Sequence, residues 1–229
     1  MTTTTAVGPE PATYRFSAIL SGLRVMWRAS GAALPFIALN AVVQAGLMYL
    51  DTLSGFTAAF LAAFAASAAS ALVLYAVLAA GALAAVDGEA AAGSIIARAR
   101  RTGAGFAGWT LVQWALILGA ALIHPALILV VAAATPFLPL AASDGRGNAM
   151  VWNFRAIGGR AGRWVLTTAI LVVAGLVLYL LSAVNTFFIK GMPAAAVFWL
   201  VIGVVAWWLL TAWALIYRQA VPRERLTRP

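Results

Sequence analysis

Hydrophobic positions along this chain run together in long blocks, separated by short polar stretches that carry arginine. The apolar blocks cover residues 31–50, 56–86, 105–142, 164–184 and 193–217. About 20 apolar residues in a helix cross the hydrocarbon core of a bilayer, so every block predicts at least one span. The block at 105–142 is too long for one comfortable crossing, and it contains His124-Pro125. Proline removes a backbone donor and disfavours helix in the residue before it. Two short helices joined there by a tight turn fit better than one tilted rod, so six spans are expected.

Three polar segments mix arginine with apolar residues at helical spacing. They are residues 14–30, 89–106 and 148–164, one before each of the first, third and fifth spans. In the first, Phe16, Ile19, Leu20, Leu23 and Trp27 form an apolar stripe, and Arg24 and Arg28 lie four apart on another face. In the third, Met150, Trp152, Phe154 and Ile157 interleave with Arg155 and Arg160, and Gly158-Gly159 ends the helix. Amphipathic helices of this kind lie in the membrane interface. A unit of one interfacial helix plus two spans is therefore expected three times, over 14–86, 89–142 and 148–217. The expected fold is all-α: a polytopic membrane protein of six transmembrane helices in three hairpins, each hairpin preceded by an amphipathic interfacial helix.

Composition narrows the class. The 229 residues are 64% hydrophobic and 9% charged, with mean hydropathy +0.98. Soluble domains are nearer half apolar and a quarter charged. A soluble enzyme, a disordered tail and a secreted disulfide scaffold are excluded. No cysteine is present, which removes disulfides, thiolate metal sites and cysteine nucleophiles.

Charge sets the expected orientation, because cytoplasmic loops collect Lys and Arg. With six spans, one side receives Arg15, Arg24, Arg28, Arg98, Arg100 and Arg101. It also receives Arg146, Arg155, Arg160, Arg163, Arg218, Arg223, Arg225 and Arg228, leaving Lys190 as the one basic residue outside. Reading 105–142 as a single span would put the last eight of these arginines on the wrong side. Both termini are expected in the cytoplasm. Residues 1–13 read as a loose tail rather than a cleavable signal, and 218–229 as a short basic tail. The net charge of +9 is then a topology signal, and no base-reading surface points to nucleic acid. Heavy use of Ala, Gly and Arg with a single Lys suggests a GC-rich bacterial genome, hence a bacterial cytoplasmic membrane.

The text before the fifth span has a recognisable layout. A span ends in Pro136-Phe137-Leu138-Pro139, followed by the linker Ser143-Asp144-Gly145-Arg146-Gly147-Asn148. An amphipathic helix with Trp152 and Arg155 follows, then a Gly/Arg turn, and the next span opens at Trp164. Over about residues 14–217 this layout resembles the six-span membrane domain attached to some bacterial glycerophosphodiester phosphodiesterases, and its stand-alone relatives. The resemblance implies an anchor or scaffold. The catalytic domain of those enzymes is a soluble barrel rich in acids and histidines, which this sequence does not contain, so no catalytic residue carries over.

Chemistry-bearing residues are sparse. Gly103-Ala104-Gly105-Phe106-Ala107-Gly108 matches GxGxxG, but the dinucleotide motif needs a preceding strand and a later acid. Here an arginine-bearing helix precedes it, so the glycines are expected to turn the chain into the third span and to allow close packing. His124 is the single imidazole, a candidate pH or ligand sensor or else the cap of an outer turn. Asn40 and Gln44 share a face of the first span, with Gln113 a possible partner in the third. They mark either a pathway or interhelical glue, and glue is preferred. No charged residue lies near the middle of a span, and Asp51 sits at an outer end. Ion-coupled transport is disfavoured on that ground.

The second span carries small residues at intervals of four, Ala59, Ala63, Ser67 and Ala71, and is expected to be central or to face a partner. In the sixth, Trp199 and Trp213 suit interfacial anchoring, and Trp207 and Trp208 suit lipid tails or another subunit. Paired carboxylates, a Ser/His/Asp set and a metal-ligand cluster are missing, so neither catalysis nor a cofactor is expected.

The functional expectation is a non-catalytic scaffold or accessory subunit of a bacterial inner-membrane complex. Its cytoplasmic arginines (Arg24, Arg28, Arg98, Arg100, Arg101, Arg155, Arg160 and Arg163) would contact anionic membrane lipid or a partner protein. A membrane-protein partner or a second copy is expected. The alternative is the permease subunit of an ATP-binding-cassette transporter, with residues 87–105 as its coupling helix and a separate ATPase. A lipid-acting enzyme is a third possibility, but it needs clustered acids or histidines.

Overall fold

Residues 17–48, 57–158, 161–188 and 191–222 are described in the computed structural model, and among them all regular structure is helical. The elements are α1 (Ser17–Met26), α2 (Ser30–Met48), α3 (Ala58–Asp87), α4 (Ala92–Ile123), α5 (Ala126–Ala134), α6 (Leu138–Asp144), α7 (Ala149–Ile157), α8 (Ala161–Phe188) and α9 (Met192–Ala220). Five helical stretches are long and apolar enough to cross a membrane: Leu20–Met48, Ala58–Asp87, Ala92–Ile123, Ala126–Asp144 and Met192–Ala220. Within α8, the described apolar stretch is the shorter Val165–Leu181. The chain has the make-up of a multi-pass membrane protein.

The chain does break at His124-Pro125, between α4 and α5. The three arginine-bearing segments, however, take three different forms. α1 continues through a single 3-10 turn (Trp27–Ala29) into α2, with Met26 and Ser30 both in right-handed helical geometry. Residues 92–106 are the first turns of α4 itself, so no separate interfacial helix precedes the third block. Only α7 is a short helix of its own, started by Asn148, whose Oδ1 accepts from the Met150 and Val151 amides at 3.0 and 3.3 Å. Gly103, Gly105 and Gly108 lie inside α4, and a Cβ on any of them would meet nothing within 4 Å among the described residues. They neither turn the chain nor serve close packing, which corrects both expectations. Nothing in a helix requires a break at isolated glycines, whose cost is only about 1 kcal/mol each.

Packing is concentrated at the arginine-bearing end. Nine consecutive α3 residues, 77–85, are buried, so this part of the helix is enclosed on every side. Its neighbours are α1 with the 3-10 turn, α4, α6 and α9. The small-residue stripe lies in the earlier half of α3, where Ala59 is exposed and Ala63, Ser67 and Ala71 are half-buried, with Ser67 bonded to Gln44 of α2. At the opposite end large apolar side chains face outward, among them Met48, Leu61, Phe64, Leu122 and Ile123.

α9 runs alongside the α1–α2 rod in the opposite sense. Gly22 meets Ala212, the Trp27 and Trp207 rings stand edge to face at 5.5 Å, and Gly203 meets Ile37. Trp207 is fully buried and Trp213 nearly so, which corrects the expectations that Trp207 contacts lipid tails or another subunit and that Trp213 anchors at an interface. Both indoles fill core space instead.

A Cβ on Gly203 would sit 2.6 Å from Ile37 Cγ2 and 3.3 Å from its Cβ. Overpacking of this kind costs about 1–3 kcal/mol. The Gly203→Val variant should therefore lower the thermal midpoint of the detergent-purified protein, and adding Ile37→Ala should recover part of the loss. Equal midpoints for G203V and wild type would show that the two backbones do not approach this closely.

Candidate functional site

Three helices end together. The C-terminal residues of α3 and α6 are Asp87 and Asp144, each followed by a left-handed glycine, Gly88 (φ 79°) and Gly145 (φ 71°). Gly88 lets the chain reverse, and the Glu89 amide donates to the Ala84 carbonyl at 2.8 Å. A carboxylate at a helix C-terminus lies against the negative end of the helix dipole and needs compensation. Arg218, in the last turn of α9, supplies it.

The Arg218 guanidinium grips both acids at once. Nε and Nη2 donate to the two Asp87 oxygens at 2.8 and 2.9 Å. Nη1 and Nη2 donate to the two Asp144 oxygens at 2.9 and 2.7 Å. Only the planar fork of arginine can form two such bidentate pairs. Around this centre, Arg146 Nε lies 2.8 Å from Asp144 Oδ2, and the Tyr217 hydroxyl donates to the same oxygen at 3.3 Å. Arg98 reaches Asp87 at 3.2 Å and Glu89 at 3.4 Å. Side-chain exposure is 3% for Asp87, 8% for Asp144 and 9% for Arg218, so the cluster is interior rather than a surface ion pair. All three acids among the described residues belong to it.

A second polar device holds the chain between α5 and α6, where Thr135-Pro136-Phe137 interrupts the fourth apolar helix. Breaking a helix frees backbone groups that hydrocarbon cannot solvate. Gln113 Nε2 donates to the Thr135 carbonyl and to Thr135 Oγ1, both at 2.9 Å. Asn153 Nδ2 donates to the Ala134 carbonyl at 2.8 Å, and Asn153 Oδ1 accepts from the Phe137 amide at 3.0 Å. The interruption therefore swings α6 into the core and delivers Asp144 to Arg218.

The residues singled out from sequence scatter around this arrangement. Asn40 and Gln44 bind α3: Ser70 Oγ donates to Asn40 Oδ1 at 2.9 Å, and Ser67 Oγ to Gln44 Oε1 at 2.7 Å. Gln113 is not their partner, since Thr135 engages it. His124 is exposed at the α4–α5 turn, and its Nδ1 accepts from the Ala126 amide at 3.2 Å. Arg24, Arg28, Arg100 and Arg101 are exposed with no acid partner among the described residues. Arg155 is exposed and lies 4.9 Å from the centre of the Trp152 ring. Arg98 is taken up by the cluster. Arg160, Asp51, Lys190, the 1–13 tail and residues 223–229 lie outside the described residues, as does the side chain of Arg163. Arg218 belongs to α9 and not to a tail, contrary to the expected boundary at 218.

Sequence reasoning passed over Asp87, Asp144 and Arg218. The available signal was the repeated Asp-Gly pair directly after an apolar helix, a C-cap that places an acid where it must find a cation.

Beside the cluster, a cavity of about 740 Å³ opens between α4 and the 142–147 turn, and one of about 550 Å³ shares Arg98 and Arg101 with it. Two smaller, mainly apolar cavities of about 330 and 220 Å³ share Asn40. No group of three or more His, Cys, Asp or Glu side chains suited to a metal occurs among the described residues. No family model, curated protein or solved structure matches this chain.

Removing one member of a buried ion pair costs about 3–5 kcal/mol, because the other charge is left uncompensated. Arg218→Gln should lose stability on that scale, and Arg218→Lys should recover little of it. Arg100→Gln, at an exposed position, should stay within about 0.5 kcal/mol of wild type. Denaturant unfolding in one detergent would rank the three.

Asn153→Leu should cost about 1–3 kcal/mol by leaving the Phe137 amide and Ala134 carbonyl unpaired. Thermal melting of N153L beside an exposed control, Val151→Leu, provides the check.

Proposed function

We propose that this chain is a six-span protein of a bacterial cytoplasmic membrane, with both termini cytoplasmic. On this reading it is a non-catalytic scaffold or accessory subunit whose arginine-bearing end holds anionic lipid headgroups. One observation carries it. The acids among the described residues are all paired with arginine, Asp87 and Asp144 in the buried cluster and the exposed Glu89 at its edge, whereas Arg24, Arg28, Arg100, Arg101 and Arg155 stay exposed on the elements around that cluster. Acid–base chemistry is thereby left without a free carboxylate among these residues. The outward face presents cations, each contributing about 1 kcal/mol of attraction to an anionic leaflet. α8 crosses as the fifth span in this arrangement, returning the chain so that α9, the sixth, ends at the cluster. The resemblance to phosphodiesterase membrane domains supports an anchoring role in the same direction.

The permease reading is less well supported. It needs residues 87–105 as a coupling helix apart from the span, whereas residues 92–105 are continuous with α4.

Because the chain lacks cysteine, single cysteines report topology cleanly. Ala126→Cys should react with an impermeant maleimide in intact cells, and Gly93→Cys only after permeabilisation. Labelling of both from the same side would overturn the six-span arrangement. Replacing Arg24, Arg28, Arg100 and Arg155 together by Gln should reduce the phosphatidylglycerol that co-purifies, and unchanged retention would overturn the headgroup role. Mass spectrometry of the same preparation reads the partner: a stoichiometric ATPase would make the permease reading the better one.

A further inference from the structure

One face of α4 is built differently from the rest of the helix. Arg98, Arg101, Gly105, Trp109, Val112 and Leu116 follow at three- and four-residue steps and form a single stripe. The stripe changes character along its length, from two guanidiniums through a bare glycine to an indole and then to exposed aliphatic side chains. Its first four residues line the cavity of about 740 Å³, whose opposite wall includes Ser143 and Arg146.

We infer that this cavity is a binding site for a phosphate-bearing headgroup, with the lipid's acyl chain lying along the lower part of the stripe. The inference rests on the anionic-lipid reading and assigns it a place. Three observations support it.

The first is charge. Arg98, Arg101, Arg146 and Arg218 face the carboxylates Asp87, Glu89 and Asp144, and Arg101 alone has no acid partner among the described residues. One negative charge, as on a phosphodiester, balances the group, and guanidinium forks match phosphate oxygens.

The second is an orphaned polar group. Ser143 is 2% exposed, and its Oγ has no hydrogen-bond partner among the described residues. Buried hydroxyls are rarely left so. A small shift of this side chain in the cavity wall would let it donate to a phosphate oxygen.

The third is shape. Gly105 leaves open space where a side chain would intrude. From Arg101 to Leu116 the helix rises about 22 Å. That accommodates a headgroup together with one leaflet's share, about 15 Å, of the hydrocarbon core. A soluble phosphate compound would have no use for the aliphatic continuation, so a phospholipid is the occupant.

The experiment uses the full chain, purified in mild detergent doped with equal phosphatidylglycerol and phosphatidylcholine. Retained lipid is counted by native mass spectrometry, and thermal midpoints are taken with each lipid and with inorganic phosphate. Two variants address the pocket, Arg101→Gln to remove the surplus charge and Gly105→Leu to fill the space without touching a charge. Without lipid R101Q should melt like wild type, since its site is exposed, and G105L no lower than wild type, since its site is open and leucine is the better helix former. Wild type should retain phosphatidylglycerol selectively. R101Q should bind it about five-fold more weakly, the equivalent of one arginine at an anionic surface, and G105L should lose the retained molecule.

Selective retention that survives in both variants but falls in the Arg24/Arg28/Arg100/Arg155 variant would overturn the pocket and leave the general lipid role standing. No preference for phosphatidylglycerol in wild type would overturn both. Stabilisation by inorganic phosphate alone, lost in R101Q, would overturn the assignment to a lipid.

Discussion

The Arg218 guanidinium ties together helices that are far apart in sequence. α3 and α6 each end in an aspartate, and α9 reaches both through one side chain. Each helix terminus alone would be unfavourable, with a carboxylate against the negative pole of its own helix. Together they become a closed set of charge-assisted hydrogen bonds in an interior site. Such a cluster adds little net stability over an apolar substitute, but it tolerates no partial assembly. α9 stands against α3 and α6 in the register at which the one guanidinium meets both acids.

Delivery of Asp144 to that point depends on the interruption at Thr135-Pro136-Phe137. An unbroken helix from Ala126 to Asp144 would be the simpler membrane element. The interruption survives because Gln113 and Asn153 take over the backbone groups that it frees. These two amides come from α4 and α7, on either side of the break in sequence. The seven residues of α6 are then buried almost completely and fill the space beside α3 and α4. Polar residues inside an apolar chain here do architectural work, as do Asn40 and Gln44 with Ser67 and Ser70.

Packing and charge thus share one end of the molecule. The enclosed part of α3, the indoles of Trp207 and Trp213, the ion cluster and the two larger cavities all lie there. The opposite end presents Met48, Phe64, Leu122 and Ile123 outward. In water such exposure would be a liability, but in a bilayer those side chains are matched to the solvent. The molecule is thus divided between a densely packed, charged end and an end with outward apolar side chains.

Hydropathy by itself determined the helical class and the apolar blocks, because lipid imposes a length and a polarity on anything that crosses it, and Pro125 determined the break within the longest block. Local rules also made Asn148 a helix start and Asp87-Gly88 a helix end. Local rules could not say that Arg98 and Arg218 would be consumed by acids while Arg100 and Arg101 stayed outside, since all four read alike in an arginine-bearing segment. Nor could they separate an interfacial helix from the first turns of a span at residues 92–106, where amphipathic and apolar text run on without a stop signal. Those outcomes were decided by which faces meet across the bundle. Ion pairing between residues 131 positions apart and the closure of Trp27 on Trp207 follow from three-dimensional packing, and no nearest-neighbour preference encodes them.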